Sequence, residues 1–356
     1  MITIRKSASW LLVGLCGLIL IVAAVQQRAP KRTLYAGKDA IYWSQSLTGS
    51  FALRTNAEHA LRVMGPAAAR DLADVLQVKA RMKDRFLVAV GRHLPVGMNW
   101  RLLRLTGVLD PQVFSAIAAR GLEILGPAAR IVVPEMEAAI PVSNADVYVP
   151  LINTLTQIRP EGFLVLGRIL RHGELTRQGC VANQLRLLGT NGLPLLPDLI
   201  YIVTNQQPAA GFAALAISAM GESALPSITS LLSETDKGIV SLAILTLRGM
   251  GPSAQPALPN LLPLVTNTDR EIRTQTIRAI GRIDPNQPQC LAVLKNAATD
   301  RDPSIRLAAV DALQNTPNRV WRDRALFNSL VGDTDPQVRE RARTAFGEKN
   351  PLTQKN

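Results

Sequence analysis

Few residues in this sequence could do chemistry. The three histidines are His59, His93 and His172. No two stand within a metal-ligand spacing of each other or of a cysteine. The local pattern puts His59 on the solvent side of a helix and His172 in a turn. Cys16 lies in an apolar run near the amino terminus, and Leu15 before it is too large for a lipoprotein signal. There is no Gly-rich phosphate loop and no Ser-nucleophile elbow. Gly189-Thr190-Asn191-Gly192 reads as a turn, because it lacks the Lys and the preceding strand of a phosphate cradle. Glu135 and Glu137 stand isolated on a helix face, as solvated carboxylates do. These residues imply no metal, no cofactor and no catalytic set, hence a chain that is not an enzyme.

What recurs instead is an aspartate followed by an arginine. Asp269, Asp302 and Asp335 precede helices that carry Arg273, Arg306 and Arg339, and Arg54 holds the same place in an early helix. Asp302-Pro303 and Asp335-Pro336 are cap-plus-first-turn signals. The expected roles are structural: helix caps and ion pairs between repeats.

The elements that position these residues repeat along the chain. In Leu53…Ala57…Ala60-Leu61…Met64-Gly65 the apolar residues fall three and four apart, on one helix face. The same spacing returns at Ile272-Arg273…Thr276…Ala279-Ile280, Ile305-Arg306…Ala309…Ala312-Leu313 and Val338-Arg339…Ala342…Ala345-Phe346. The residues closing each motif are 65, 94, 126, 159, 189, 221, 251, 284, 317 and 350. Successive marks lie 29 to 33 residues apart. Several marks open a second helix through glycine, a small residue and proline, as in Gly65-Pro-Ala-Ala68 and Gly251-Pro-Ser-Ala-Gln-Pro256. Glycine there takes the left-handed conformation that ends the first helix, and proline suits the first turn of the next. Each unit is a helical hairpin of about 31 residues that buries its apolar faces only when stacked. Ten stacked units about 10 Å apart would form a curved body near 100 Å long. Cys180 and Cys290 would then lie on the order of 30 Å apart, out of disulfide reach, as small core residues.

Val/Ile-Arg-x-x-Ala-x-x-Ala-Leu preceded by Asp resembles the HEAT repeat, in particular the short HEAT-like repeats also seen in bilin lyases. The resemblance covers roughly residues 50–347. It is close in units 1, 8, 9 and 10. It departs in units 3 to 7, where Ser115, Tyr148, Gln178, Ala210 and Val240 stand at the Arg position. Tyr35-Ala-Gly37-Lys38…Tyr42-Trp43…Leu47 is similar to the lead-in helix of bacterial membrane-anchored or exported HEAT proteins and reads as an N-terminal cap. The family implies an all-α solenoid whose Arg-bearing helices line the concave face.

Composition fits this. Aromatic residues are 4% of the chain against 47% hydrophobic overall, so the core is Ala, Leu, Val and Ile, which suits helix-on-helix packing. The net charge of +13 opens nucleic acid and anionic lipid as partners. Its placement argues against them. Arg54, Arg62, Arg81, Lys83, Arg85 and Arg92 cluster early, and Arg270, Arg273, Arg278, Arg282, Arg306, Arg339, Arg341 and Arg343 cluster late. The middle is nearly neutral, and Ala209 to Met220 carries no charge. A nucleic-acid groove would be basic along its length, with aromatics for stacking. A HEAT-like DNA glycosylase does not fit. A bilin-lyase-like enzyme would need a bound chromophore.

From Trp10 to Val25 no residue is charged, with Arg5 and Lys6 before the run and Arg28, Lys31 and Arg32 after it. This reads as an uncleaved transmembrane anchor; the alternative is a signal peptide cut after Val22 and Ala24. The basic leader favours export, although the positive-inside bias favours a cytoplasmic carboxyl side. The expected organisation is a leader at 1–9, a transmembrane or signal segment at 10–27, a linker and capping helix at 28–50, the solenoid at 51–347 and a tail at 348–356. The expected function is a monomeric, non-catalytic scaffold, membrane-anchored or exported, binding a protein or peptide partner on its concave face within units 4–7. The alternative is a basic solenoid that binds nucleic acid or anionic lipid through its terminal arginines.

Overall fold

The computed structural model of the chain describes residues 33–76, 111–205, 207–314 and 323–347. Residues 10–27 lie outside this description, as does His93. The chain divides into two compact units, Met1–Ala139 and Ile140–Asn356.

In the first unit the lead-in segment is not only helical. Leu34–Tyr35 (β1) and Lys38–Asp39 (β2) pair antiparallel. Asp39 then caps Ala40–Ser46 (α1), its carboxylate accepting from the Tyr42 amide at 2.9 Å. The Trp43 indole donates to the Tyr35 carbonyl at 3.2 Å, and the Tyr35 ring stands edge-on to both Trp43 and His59. Phe51–Leu76 (α2) is two helices joined at Gly65, and Pro111–Leu125 (α3) runs through a 3-10 segment, Gly126–Val132, into Val133–Ala139 (α4). α1, α2 and α3 converge so closely that a Cβ on Gly121 would overlap Ser44 and stand 2.7 Å from Leu72.

α2 packs directly on α3. The unit expected to close at position 94 lies outside the described residues. Even spacing of apolar motifs reports helices, not which helices touch.

The second unit is the regular part. Its hairpins pair Ala145–Gln157 (α5) with Glu161–His172 (α6), Leu175–Leu188 (α7) with Leu196–Thr204 (α8), and Ala210–Ser218 (α9) with Leu225–Leu231 (α10). Lys237–Met250 (α11) then leads through 3-10 turns and Leu258–Leu261 (α12) to Arg270–Ile283 (α13) and Pro288–Ala297 (α14). Pro303–Leu313 (α15), Arg324–Val331 (α16) and Pro336–Ala342 (α17) follow. His172 is thus the last residue of a helix, not part of a turn.

The first helices of the hairpins, α5, α7, α9, α11, α13, α15 and α17, form one layer in which each packs on the next. The second helices form the other layer. The core is aliphatic: Ile239, Ala243, Ile244 and Leu247 of α11 and Ile272, Ile277, Ala279 and Ile280 of α13 are all buried, and the two helices pack on each other. Each buried Ile or Leu contributes about 2 kcal/mol by leaving water.

The turns use glycine as expected but in another conformation. Gly65, Gly126, Gly189, Gly221 and Gly251 all have positive φ. At Gly251, φ is 60° and ψ is −134°. That is not the left-handed helical region; it is one that only a residue without a Cβ enters readily. The chain then continues as a 3-10 segment, Gly251–Ala257, with Pro252 in its first turn. Leu175–Thr204 is apolar and long enough by composition to cross a membrane, but Gly189 turns it into α7 and α8, which lie in different layers.

Successive first-layer helices approach through small side chains. A Cβ on Gly281 would stand 2.5 Å from the Cα of Ala312, and one on Gly249 would stand 2.9 Å from the Cβ of Ser218. Gly281→Ala should therefore destabilise the chain by about 1–3 kcal/mol in urea unfolding, because its obstacle is backbone. Gly211→Ala, on an exposed helix position with nothing within 4 Å, should be neutral or stabilising by up to about 1 kcal/mol.

Candidate partner-binding surface

The recurring aspartates and arginines build one turn three times. The carboxylate of Asp269 accepts from the amides of Glu271 and Ile272; that of Asp335 accepts from Gln337 and Val338, and that of Asp302 from Ser304. Two residues earlier, the side chains of Asn267, Asp300 and Asp333 each accept from the backbone amide of the capping aspartate at 2.8 Å. The arginine four residues after the cap folds back to close the turn. Arg273 donates to the carbonyls of Asn267 and Thr268, Arg306 to those of Asp300 and Arg301, and Arg339 to those of Asp333 and Thr334. The guanidinium thus satisfies carbonyls of a connection that has no helix of its own. The Asn or Asp two residues before each cap is a further part of the turn, and its signal in the sequence is its recurrence every 33 residues, at 267, 300 and 333.

The turns are also linked to one another. Arg306 reaches forward to Asp333 with two bonds of 2.8 Å, and both side chains are nearly buried. Lys237 pairs with Asp269 at 2.7 Å, and Arg270 with Asp302 at 3.9 Å. The Arg306 guanidinium holds the Asp333 carboxyl below the usual carboxylate range, and the Lys237 ammonium does the same for Asp269. Arg54 does not share this role. It is exposed and pairs with Glu58 at 3.0 Å along its own helix, where no Asp-x-Asp precedes it.

In the middle units other residues do this work. Gln178, at the Arg position of α7, donates to the Leu170 carbonyl at 2.8 Å and to Gln207 at 3.1 Å. Its neighbour Arg177 is buried and donates to the carbonyls of Ile140, Pro141 and Ser143, lies 5.2 Å over the Tyr148 ring, and pairs with Glu174. Ala210 and Val240, at the same repeat position, are buried and apolar.

The first-layer face of these middle units exposes apolar side chains. Phe212 and Leu215 lie three residues apart on α9, 49% and 48% exposed, and Leu187 on neighbouring α7 is 65% exposed. The Phe212 ring rests on α7 at Gly179, where a Cβ would stand 3.4 Å from it. No residue of α9 is charged. The terminal arginines are already engaged. Arg341 donates to Asp311 at 2.7 Å and to Gln314, and Arg343 donates to the Val331 carbonyl.

Among the described residues no group of His, Cys, Asp and Glu could hold a metal ion. Burial and the Asp284 charge push the Cys290 thiol up to about 11, so it stays protonated near neutrality, and burial also raises the Cys180 thiol.

Residues 258–347 match the family model described as HEAT repeats. No curated protein sequence matches the chain. A solved structure of the complex of CpcE and CpcF of phycocyanin lyase from Nostoc sp. PCC7120 aligns at 23% identity and a TM-score of 0.39, covering 43% of this chain and 98% of that one. Kap121p aligns at 11% identity and a TM-score of 0.42, covering 86% of this chain and 48% of that one. Yeast importin-beta (Kap95p) aligns at 12% identity and 0.37, covering 86% and 52%. The chain thus spans about half the length of those two importin-type proteins.

Arg306→Ala should cost about 3 kcal/mol, because it leaves Asp333 buried without its partner. Arg270→Ala, whose pair is long and exposed, should cost less than about 1 kcal/mol. Asp333 and Asp269 have lowered folded-state values, so the unfolded chain takes up protons first as pH falls. Their contribution is present above about pH 4 and is lost as pH falls further, through the folded-state values. Melting temperatures followed from pH 6 to about pH 3 should drop. The drop should be shallower in Arg306→Ala.

Proposed function

We propose that this HEAT-repeat chain is a non-catalytic scaffold that binds a protein or peptide partner on the exposed face of its first-layer helices in units 4 to 7. The observation that carries this reading is the uncharged, half-exposed Phe212–Leu215 face of α9, flanked by Leu187. A face of this kind on a solenoid suits an interaction surface better than bulk solvent. The neutral middle also sets the partner's chemistry, since binding there draws on apolar contact more than on charge.

The basic-solenoid alternative finds less support. Arg339, Arg341 and Arg343 are each occupied by carbonyls or side chains of the chain itself. Nucleic acid or anionic lipid would have to displace those bonds. The reading also places the chain at a membrane, tethered through residues 10–27 with the repeats on the extracytoplasmic side. Its support is the uncharged run behind a basic leader.

Two experiments test this. A pull-down from envelope extract should return a partner that Phe212→Ser with Leu215→Ser loses about tenfold or more, while Leu164→Ser, on the second layer, keeps it. Equal retention by both variants would defeat the reading. Fractionation should leave the full chain in carbonate-washed membranes and release a chain lacking residues 1–27; a full-length chain found in the soluble fraction would remove the tether.

A further inference from the structure

A cavity of about 270 Å³ opens among α11, α13 and α15, lined by Arg248, Arg278, Gly281, Arg282, Asp311 and Gln314. Its residues hold the same repeat positions as the apolar face. Counted back from residues 221, 251, 284 and 317, the sixth positions are Leu215, Leu245, Arg278 and Asp311. The third positions are Ser218, Arg248, Gly281 and Gln314. The close approaches of Gly249 to Ser218 and of Gly281 to Ala312 join these positions into one surface row. The row is apolar on α9 and basic one helix further on.

The cavity's charges are unevenly matched. Arg278 lies 3.4 Å from one oxygen of Asp311, and Arg341 takes the other at 2.7 Å. The amide oxygen of Gln314 also accepts from Arg341. Arg248 and Arg282 are exposed, and their guanidiniums have neither an ion pair nor a hydrogen bond among the described residues. Two guanidiniums therefore flank a concave site whose single carboxylate is already shared between two other arginines. A planar anion between them would gain charge-assisted bonds that water supplies less well.

We infer that this cavity is the receptor for a carboxylate of an acidic peptide whose apolar residues lie on Phe212 and Leu215. Arg248 and Arg282 hold the carboxylate, and the partner-binding reading of the α9 face supplies the rest of the contact. The inference rests on that reading and specifies its partner. First-layer helices about 10 Å apart separate the apolar face from the cavity by one to two steps, the reach of about four to six extended residues. The partner segment thus carries a leucine-like anchor and an Asp or Glu at that separation. A polyanion that tracks a groove fits less well, because the row turns apolar on one side of the cavity and meets Asp311 on the other.

The test uses the full chain in detergent and two short fluorescein-labelled peptides. One has a Leu-Leu pair followed five residues later by Glu-Glu; the other has Gln-Gln there. Anisotropy should show the Glu peptide binding about tenfold more tightly than the Gln peptide. Arg248→Gln with Arg282→Gln should erase that preference with no change in melting temperature, since both side chains are exposed. Phe212→Ser with Leu215→Ser should weaken both peptides alike. Equal binding of the two peptides, or a preference that survives the arginine substitutions, overturns the carboxylate receptor but leaves the α9 reading standing if Phe212→Ser with Leu215→Ser still weakens binding. A preference lost only with the arginines, and indifferent to Phe212 and Leu215, keeps the receptor and defeats the α9 reading. Binding of phosphatidylglycerol vesicles that needs Arg248 and Arg282, without any peptide preference, would assign the cavity to a phospholipid headgroup and overturn the proposal.

Discussion

A hairpin of two short helices has more apolar face than it can cover by itself. That excess dictates the second unit of this chain. From α7 on, each first-layer helix packs on the second helix of the hairpin before it and on the first-layer helices beside it, so burial is completed only by neighbouring repeats. The requirement for close approach explains the composition. Alanine, glycine and serine stand where helices meet, as at Gly249 against Ser218 and Gly281 against Ala312. Bulky aromatic side chains have little room in such a seam, and their share of the chain is 4%. Phe346, fully buried near the carboxyl end, lies beyond the last complete hairpin.

Stacking leaves the connections between hairpins with unpaired carbonyls and amides, and polar residues attend to these. The Asn/Asp, the capping Asp and the Arg of each turn close a local circuit, and Arg306 with Asp333 ties one circuit to the next. Arg273, Arg306 and Arg339 are committed this way. A charge of +13 suggests a polyanion partner only while its arginines are taken to be free. Arg273, Arg306, Arg339, Arg341 and Arg343 are not. Arg248 and Arg282 are the contrasting pair, exposed on a cavity wall with no such duty.

Helix type and repeat identity were legible from the sequence because apolar spacing and Gly-Pro punctuation are local signals. The Asp caps were legible for the same reason. Packing partners were not: that α2 touches α3 depends on contacts that no spacing encodes. Gln178 and Arg177 were illegible for a related reason. They depart from the Arg pattern yet meet the same need for carbonyl donors, Arg177 by reaching back to Ile140 and Ser143. Arg54 shows the converse, a residue in the pattern without its turn. On the proposed binding face, the neutrality of residues 209–220 was visible, but the exposure of Phe212 and Leu215 follows only from the packing of α9 between α7 and α11.

Function follows from what stacking leaves over. Residues that close turns and fill seams are spent on the fold, and the α9 face with its neighbouring cavity is not. Site-specific photo-crosslinking measures this most directly. With p-benzoylphenylalanine in place of Phe212, and separately of the second-layer Leu164, the full chain would be irradiated in its native cells. The account predicts a discrete adduct from position 212 and none from 164. Adducts from 164 but not from 212, or from neither, would contradict it.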